Sequence, residues 1–216
     1  NTDSWVINAP KRNSRSHFQK KGCVFCPGSE EEGEETVYQI TDQKDNWRVR
    51  VKKNKFPFSA IHDVVILTPE HIKSITQMPS SQFKLCLDTF LNRYNTYKKK
   101  GTVCIFGNMG DKAGASIEHP HAQIAVIPDD KDIHSPKLEK DVKYWGEHFT
   151  VGEFQIVTPP YSQWPDEVWI VPLERHNTFG QITNKEIESL SFVWSRITKI
   201  LDLRHSGRFP HNFYIY

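Results

Sequence analysis

Apolar positions along this 216-residue chain switch between two periods. Trp47-Arg48-Val49-Arg50-Val51-Lys52 alternates strictly, the pattern of a half-buried strand with its basic side chains in water. His62-Asp63-Val64-Val65-Ile66-Leu67 predicts a second strand, closed by Thr68-Pro69. From Ser80, read as the cap, to about residue 99, Phe83, Leu87, Phe90, Leu91 and Tyr94 recur at helical spacing. Residues 102–106 predict a third strand, 107–114 a glycine-containing loop, and 119–127 a fourth strand. Residues 128–152, rich in Asp, Lys and Pro, read as a linker with some local structure.

Beyond the linker the order recurs. Residues 154–157 and 166–171 predict strands, and the second runs into Pro172-Leu173-Glu174-Arg175-His176 as the earlier one runs into Pro69-Glu70-His71. Thr183 and Glu186 form a capping box for a helix to about residue 201, with Ile187, Leu190, Trp194, Ile197 and Leu201 on its apolar face. Phe213-Tyr214-Ile215-Tyr216 opens another strand. A strand–strand–helix–strand unit therefore occurs twice, as in an internal repeat. The expected class is α+β, with residues 1–128 as one unit and 129–216 as a linker and a second unit cut short at its third strand. A tail beyond Tyr216 is expected on that reading.

Composition narrows the class. Hydrophobic residues make up 37% and charged residues 25%, a globular mixture and not a disordered one. A net charge of +2 supplies no field for nucleic acid. Val64-Val65-Ile66-Leu67 is the longest aliphatic run, far too short to cross a bilayer. Neither a nucleic-acid nor a membrane partner is expected. Four cysteines are too few for a disulfide framework, and Cys23-Val24-Phe25-Cys26 favours metal binding in a reducing compartment, so the expected location is the cytoplasm. Cys86 and Cys104 read as small core residues.

The candidate chemistry gathers at 114–123. His119 and His121, two apart, would share one face of a strand, with Gln123 at the next alternate position. Pro120 between the histidines fits a strand edge or end. Ser116 adds a hydroxyl after Gly114. Two imidazoles, an amide and a hydroxyl suit an anion and a nucleophile, because an imidazole can attack phosphorus at neutral pH and leave again. Cys23 and Cys26 are spaced for two thiolates on one zinc, and the other ligands must be distant in sequence; His71, His119 and His121 are the obvious suppliers. A site with four protein ligands would be structural. His17, His62, His134, His148, His205 and His211 carry no motif and read as surface or capping residues.

These residues resemble the galactose-1-phosphate uridylyltransferase-like family, the transferase branch of the histidine-triad superfamily. The resemblance runs from Trp5 to Tyr216. Its most specific part is Phe106-Gly107-Asn108 followed by Gly114-Ala115-Ser116 and His119-Pro120-His121-Ala122-Gln123. It implies two histidine-triad-like units in tandem, antiparallel sheets with packed helices. It also implies that His121 is the nucleophile that carries the nucleotidyl group, with Ser116 and Gln123 on phosphate oxygens. Asn54 and Asn108 would lie beside the nucleotide, Arg12 and Arg15 would neutralise phosphate charge, and Cys23, Cys26, His71 and His119 would hold a structural zinc. The implied reaction moves a nucleoside monophosphate, UMP, between a nucleotide sugar and a hexose 1-phosphate in galactose metabolism, in a homodimer. A phosphorylase or hydrolase of dinucleoside polyphosphates or nucleotide sugars would use the same histidine. A zinc-stabilised nucleotide-binding protein without turnover is the third reading.

Overall fold

The computed structural model describes residues 22–29, 35–72, 74–130, 147–160, 162, 164–176, 178–207 and 209–215. The two-residue period at 47–52 gives strand β2 (Trp47–Lys53), whose Trp47, Val49 and Val51 are buried while Arg48 and Arg50 are only half covered. It pairs on one side with β1 (Thr36–Thr41) and on the other with β3 (Ile61–Ile66). Strands β4 (Thr102–Met109) and β5 (His121–Ile127) follow α1 (Ser80–Tyr97). A second set comprises β6 (Glu147–Val151), β7 (Phe154–Thr158), β8 (Trp169–Pro172), α2 (Asn184–Arg204) and β9 (His211–Ile215). The class is α+β, with every strand pairing antiparallel in a six-stranded sheet of order β1-β2-β3-β5-β4-β9 and a three-stranded sheet β6-β7-β8.

The order strand–strand–helix–strand is thus present twice, as β2-β3-α1-β4 and β7-β8-α2-β9. Corresponding elements meet one another. Strand β9 pairs with β4, with Gly107 opposite Phe213 and Asn108 opposite Asn212. The helices meet where Trp194 of α2 packs edge-on against Phe83 of α1, ring centroids 5.0 Å apart, and against Phe213 at 4.8 Å. One core lies between this face of the large sheet and the two helices, and includes Val49, Val51, Val65, Phe83, Leu87, Phe90, Ile105, Ile124 and Ile187.

Several boundaries differ from the sequence pattern. Pro79, extended at ψ 157°, is the cap of α1 and makes no side-chain capping bond; Ser80 is the first helical residue. Proline's fixed φ suits the turn into a helix, and the Pro79 carbonyl accepts from the amides of Gln82 and Phe83. Strand β4 runs three residues past Phe106, because Gly107, Asn108 and Met109 still pair with β9. The last strand before the site starts at His121, not at 119, since Pro120 has no N–H for the ladder. The end of the supposed linker is strand β6, an exposed edge that turns back through Gly152 (φ +56°). The capping box at Thr183 and Glu186 is formed as the pattern predicts. No helix among the described residues is long and apolar enough to cross a membrane.

Candidate active site and metal centre

Direct cross-strand partners place their side chains on one face of a sheet. On the face turned away from the helices, Asn108 and Asn212 are partners across β4 and β9, and alternation from the Phe106–Gln123 pair puts His121 of β5 on the same face. The next row is Val64, Gln123, Phe106 and Tyr214. The sequence string at 106–123 thus becomes a surface to which both halves of the chain contribute.

His121 is 8% exposed, and its Nδ1 lies 2.8 Å from the carbonyl oxygen of His119. A carbonyl only accepts, so Nδ1 carries the proton and donates. The lone pair is left on Nε2, which is the nucleophilic tautomer. Phe25 stands edge-on to the ring at 5.2 Å between centroids. Gln123 is oriented in the same manner. His62 Nδ1 accepts the backbone N–H of Phe58 (3.2 Å), so its Nε2–H donates to Gln123 Oε1 at 2.9 Å. Asn54 Nδ2 donates to the same oxygen at 3.4 Å, while Asn54 Oδ1 accepts the N–H of Phe56. With its oxygen held by two donors, the Gln123 amide turns its NH2 the other way.

Asn108 Oδ1 accepts from Asn212 Nδ2 at 2.8 Å, and the same Asn212 nitrogen donates to the Ala113 carbonyl at 2.9 Å. Between Asn108 and Ser116 the chain turns twice through the left-handed region, at Gly110 (φ +87°) and Gly114 (φ +88°), around a 3-10 turn at Asp111–Ala113. Ser116 is exposed on that loop. Arg12 and Arg15 lie outside the described residues.

Cys23, Cys26, His71 and His119 come together from the N-terminal turn, the segment after β3 and the approach to β5, with one ligand atom of each within 4.8 Å of the others. Cys26 Sγ is 3.4 Å from His71 Nδ1 and 3.7 Å from His119 Nδ1. Zinc bonds of about 2.0–2.3 Å in a tetrahedron put donor atoms roughly 3.3–3.8 Å apart, which these separations match. His119 is fully buried, and its Nε2 donates to the Thr68 carbonyl at 2.8 Å, leaving Nδ1 to face the thiols. Burial lowers the His119 pKa, the Thr68 bond raises it and His71 lowers it again; the net direction is down, toward the neutral form a metal needs. Burial and the nearby Cys23 push the Cys26 thiol up, a cost that a cation would reverse. Two sulfurs and two imidazoles are a donor set for zinc.

Two residues of this surface carry no sequence motif. His62 read as a surface or capping histidine, yet it is 5% exposed and holds Gln123. Its alternation with Val64 and Ile66, opposite the 121–123 string, is the signal that points to the same face. Asn212 belongs to the second half, and only the pairing of β9 with β4 reveals it.

A family model described as the N-terminal domain of galactose-1-phosphate uridyl transferase matches residues 37–126. An ADP-glucose phosphorylase of Arabidopsis thaliana is 25% identical over 84% of this chain and 66% of its own length. A galactose-1-phosphate uridylyltransferase of Thermotoga maritima is 25% identical over 97% of this chain and 76% of its own. The chain thus spans about two thirds to three quarters of these relatives. A crystal structure of the Arabidopsis ADP-glucose phosphorylase with bound ADP-glucose has the same fold, with a TM-score of 0.76 at 22% identity, covering 99% of this chain and 78% of that one. These matches fall where the His119-Pro120-His121 string pointed: residues 37–126 are similar to the N-terminal domain of galactose-1-phosphate uridyl transferase, and 97% of the chain is similar to a galactose-1-phosphate uridylyltransferase at 25% identity.

Proposed function

We propose that this chain is a nucleotidyltransferase that moves UMP between a nucleotide sugar and a hexose 1-phosphate through an intermediate on His121. The observation that carries this reading is the bond from His121 Nδ1 to the His119 carbonyl, which leaves Nε2 unprotonated. In the first step the Nε2 lone pair attacks the α-phosphorus; the bond from phosphorus to the bridging oxygen breaks, and the sugar 1-phosphate departs with that oxygen. In the second, a phosphate oxygen of hexose 1-phosphate attacks the same phosphorus, and the P–N bond breaks to return neutral His121. Gln123 and Asn108 offer N–H donors, and Ser116 its hydroxyl, to phosphate oxygens where charge is greatest in the transition state. Arg12 and Arg15 offset the remaining charge, and Asn54 lies by the nucleoside.

Cys23, Cys26, His71 and His119 hold a structural zinc. With four protein ligands such an ion would leave no reacting position; its ligand His119 would be held in place, and the His119 carbonyl sets the His121 tautomer. Residues 1–128 form the unit that carries this site, and 129–216 the linker and second unit; the protein works as a homodimer in the cytoplasm.

A second reading, phosphorylase action with inorganic phosphate as acceptor, is favoured by the plant relative's name and its extent of similarity. Incubation with UDP-glucose or ADP-glucose labelled at the α-phosphate decides between them. The expected result is an acid-labile label on His121, lost in His121→Asn. UDP-glucose should label, and galactose 1-phosphate should then take up the UMP as UDP-galactose. Formation of a nucleoside diphosphate on adding phosphate identifies the phosphorylase. Absence of label from both donors overturns both readings.

A further inference from the structure

We infer that Asn212, on the second half of the chain, is a positioning residue that sets which end of the Asn108 amide faces the substrate phosphate; this rests on the function proposed above. An amide side chain presents a donor at one end and an acceptor at the other, and a phosphate tolerates only the donor. The side-chain bond that fixes Asn108 is the one its Oδ1 receives from Asn212 Nδ2, at 2.8 Å. That bond commits the oxygen of Asn108 toward β9 and leaves its NH2 on the side of the Gly114 loop.

The neighbouring loop agrees with this direction. A Cβ added to Gly114 would stand 3.7 Å from Asn108 Nδ2, so the nitrogen end is turned toward the loop apex. Gly114 is in the left-handed region at φ +88°, where its missing Cβ leaves that side of the amide open. The second proton of Asn212 Nδ2 goes to the Ala113 carbonyl, the residue just before Gly114. One NH2 group therefore ties together the strand that carries Asn108 and the loop that leads to Ser116. Neither target can donate in return, since both are acceptors, so the assignment of Asn212 as donor is fixed by its partners.

Strand β9 brings this amide to the site through the register that sets Asn212 opposite Asn108, and Phe213 opposite Gly107. The second half of the chain thus supplies a residue that acts through Asn108 on the reaction of the first.

The test is a double-mutant cycle on kcat/KM for labelling of His121 by α-labelled UDP-glucose or ADP-glucose, with Tm measured for every variant. Asn212→Ala should lower kcat/KM about tenfold, the scale of one lost hydrogen bond. Asn212→Asp keeps the shape and should cost more, roughly a hundredfold. Its carboxylate would draw the Asn108 NH2 toward β9 and turn Oδ1 on the phosphate, which adds repulsion to the lost bond. In an Asn108→Ala background neither substitution should lower the rate further. Equal losses in both backgrounds, or a fall in Tm with kcat/KM unchanged, would show that Asn212 only ties the strands together, and would overturn the inference while leaving the function intact. A wild-type chain that takes no label overturns the proposed function and this inference with it.

Discussion

His62 and Gln123, 61 residues apart, share a hydrogen bond of 2.9 Å between ring Nε2 and amide Oε1. The Phe58 amide occupies the other ring nitrogen, so the imidazole has one tautomer and the glutamine one orientation. On the proposed function, Gln123 would meet phosphate with its NH2, and this bond is what holds its oxygen the other way. Replacing His62 with Leu keeps most of the buried volume and removes the donor. The expected result is a loss of about tenfold in kcat/KM, of the order of one hydrogen bond. In a Gln123→Ala background the same substitution should change kcat/KM little, and steady-state kinetics on the four proteins checks this.

The proposed zinc site can be tested without activity. His119 is fully buried and His71 is 41% exposed at its side chain, so the two ligands should differ in what their loss costs. His71→Asn should reduce bound zinc and lower Tm by about 5–10 °C, as expected for roughly 2–3 kcal/mol in a chain of this length. His119→Ala should cost more, because it also leaves the Thr68 carbonyl without its donor. Metal content by mass spectrometry and a thermal melt decide it; zinc content unchanged in His71→Asn would remove His71 from the set.

The strands and helices with a clean apolar period were legible in the sequence. Strand β2 and the Thr183–Glu186 box are local facts, set by alternation and by a capping residue three positions before its partner. The His119-Pro120-His121 string likewise pointed to its relatives within a few residues, and Cys23, Cys26, His71 and His119 come together as the resemblance implied. Strand β6 was hidden, because an exposed edge strand has no buried face to impose a period. Asn212 and His62 were hidden for another reason: their roles depend on which strands pair. Pairing of β9 with β4, and of β3 with β5, joins residues about 100 and 60 positions apart, and no local pattern encodes that.

The close approach of β4 and β9 makes its own prediction. Gly107 has no side chain, and a Cβ there would lie 2.2 Å from Cε1 of Phe213. The Phe213 ring has little room to withdraw, with Trp194 at 4.8 Å and Phe90 at 6.4 Å between centroids. Gly107→Ala should therefore destabilise by about 1–3 kcal/mol through overpacking. It should also disturb the neighbouring Asn108–Asn212 bond. Urea unfolding measures the first effect. A change within about 0.5 kcal/mol, ordinary for a surface site, would mean that β9 does not seat against β4 in this register.

A pH dependence of stability resides at the start of α2. Glu186 is buried, and its Oε2 accepts from the backbone N–H and hydroxyl of Thr183, both at 2.7 Å. His176 Nε2 lies 2.8 Å from its other oxygen. Burial alone raises this carboxyl's pKa, but the Thr183 bonds and His176 outweigh it, and the net direction is down. A carboxylate whose pKa is lower folded than unfolded binds protons more readily when unfolded. Its contribution is complete above the unfolded value of about 4.3 and is lost as pH falls through the folded value. Acid should therefore weaken the cap first and loosen α2 from α1. Glu186→Gln keeps the shape but cannot ionise. It should be less stable than the native chain at pH 7, by about 1 kcal/mol as for a lost cap, and the gap should narrow toward pH 3. Urea midpoints for the two proteins across that range test it, and a gap that does not change with pH would remove Glu186 as the source.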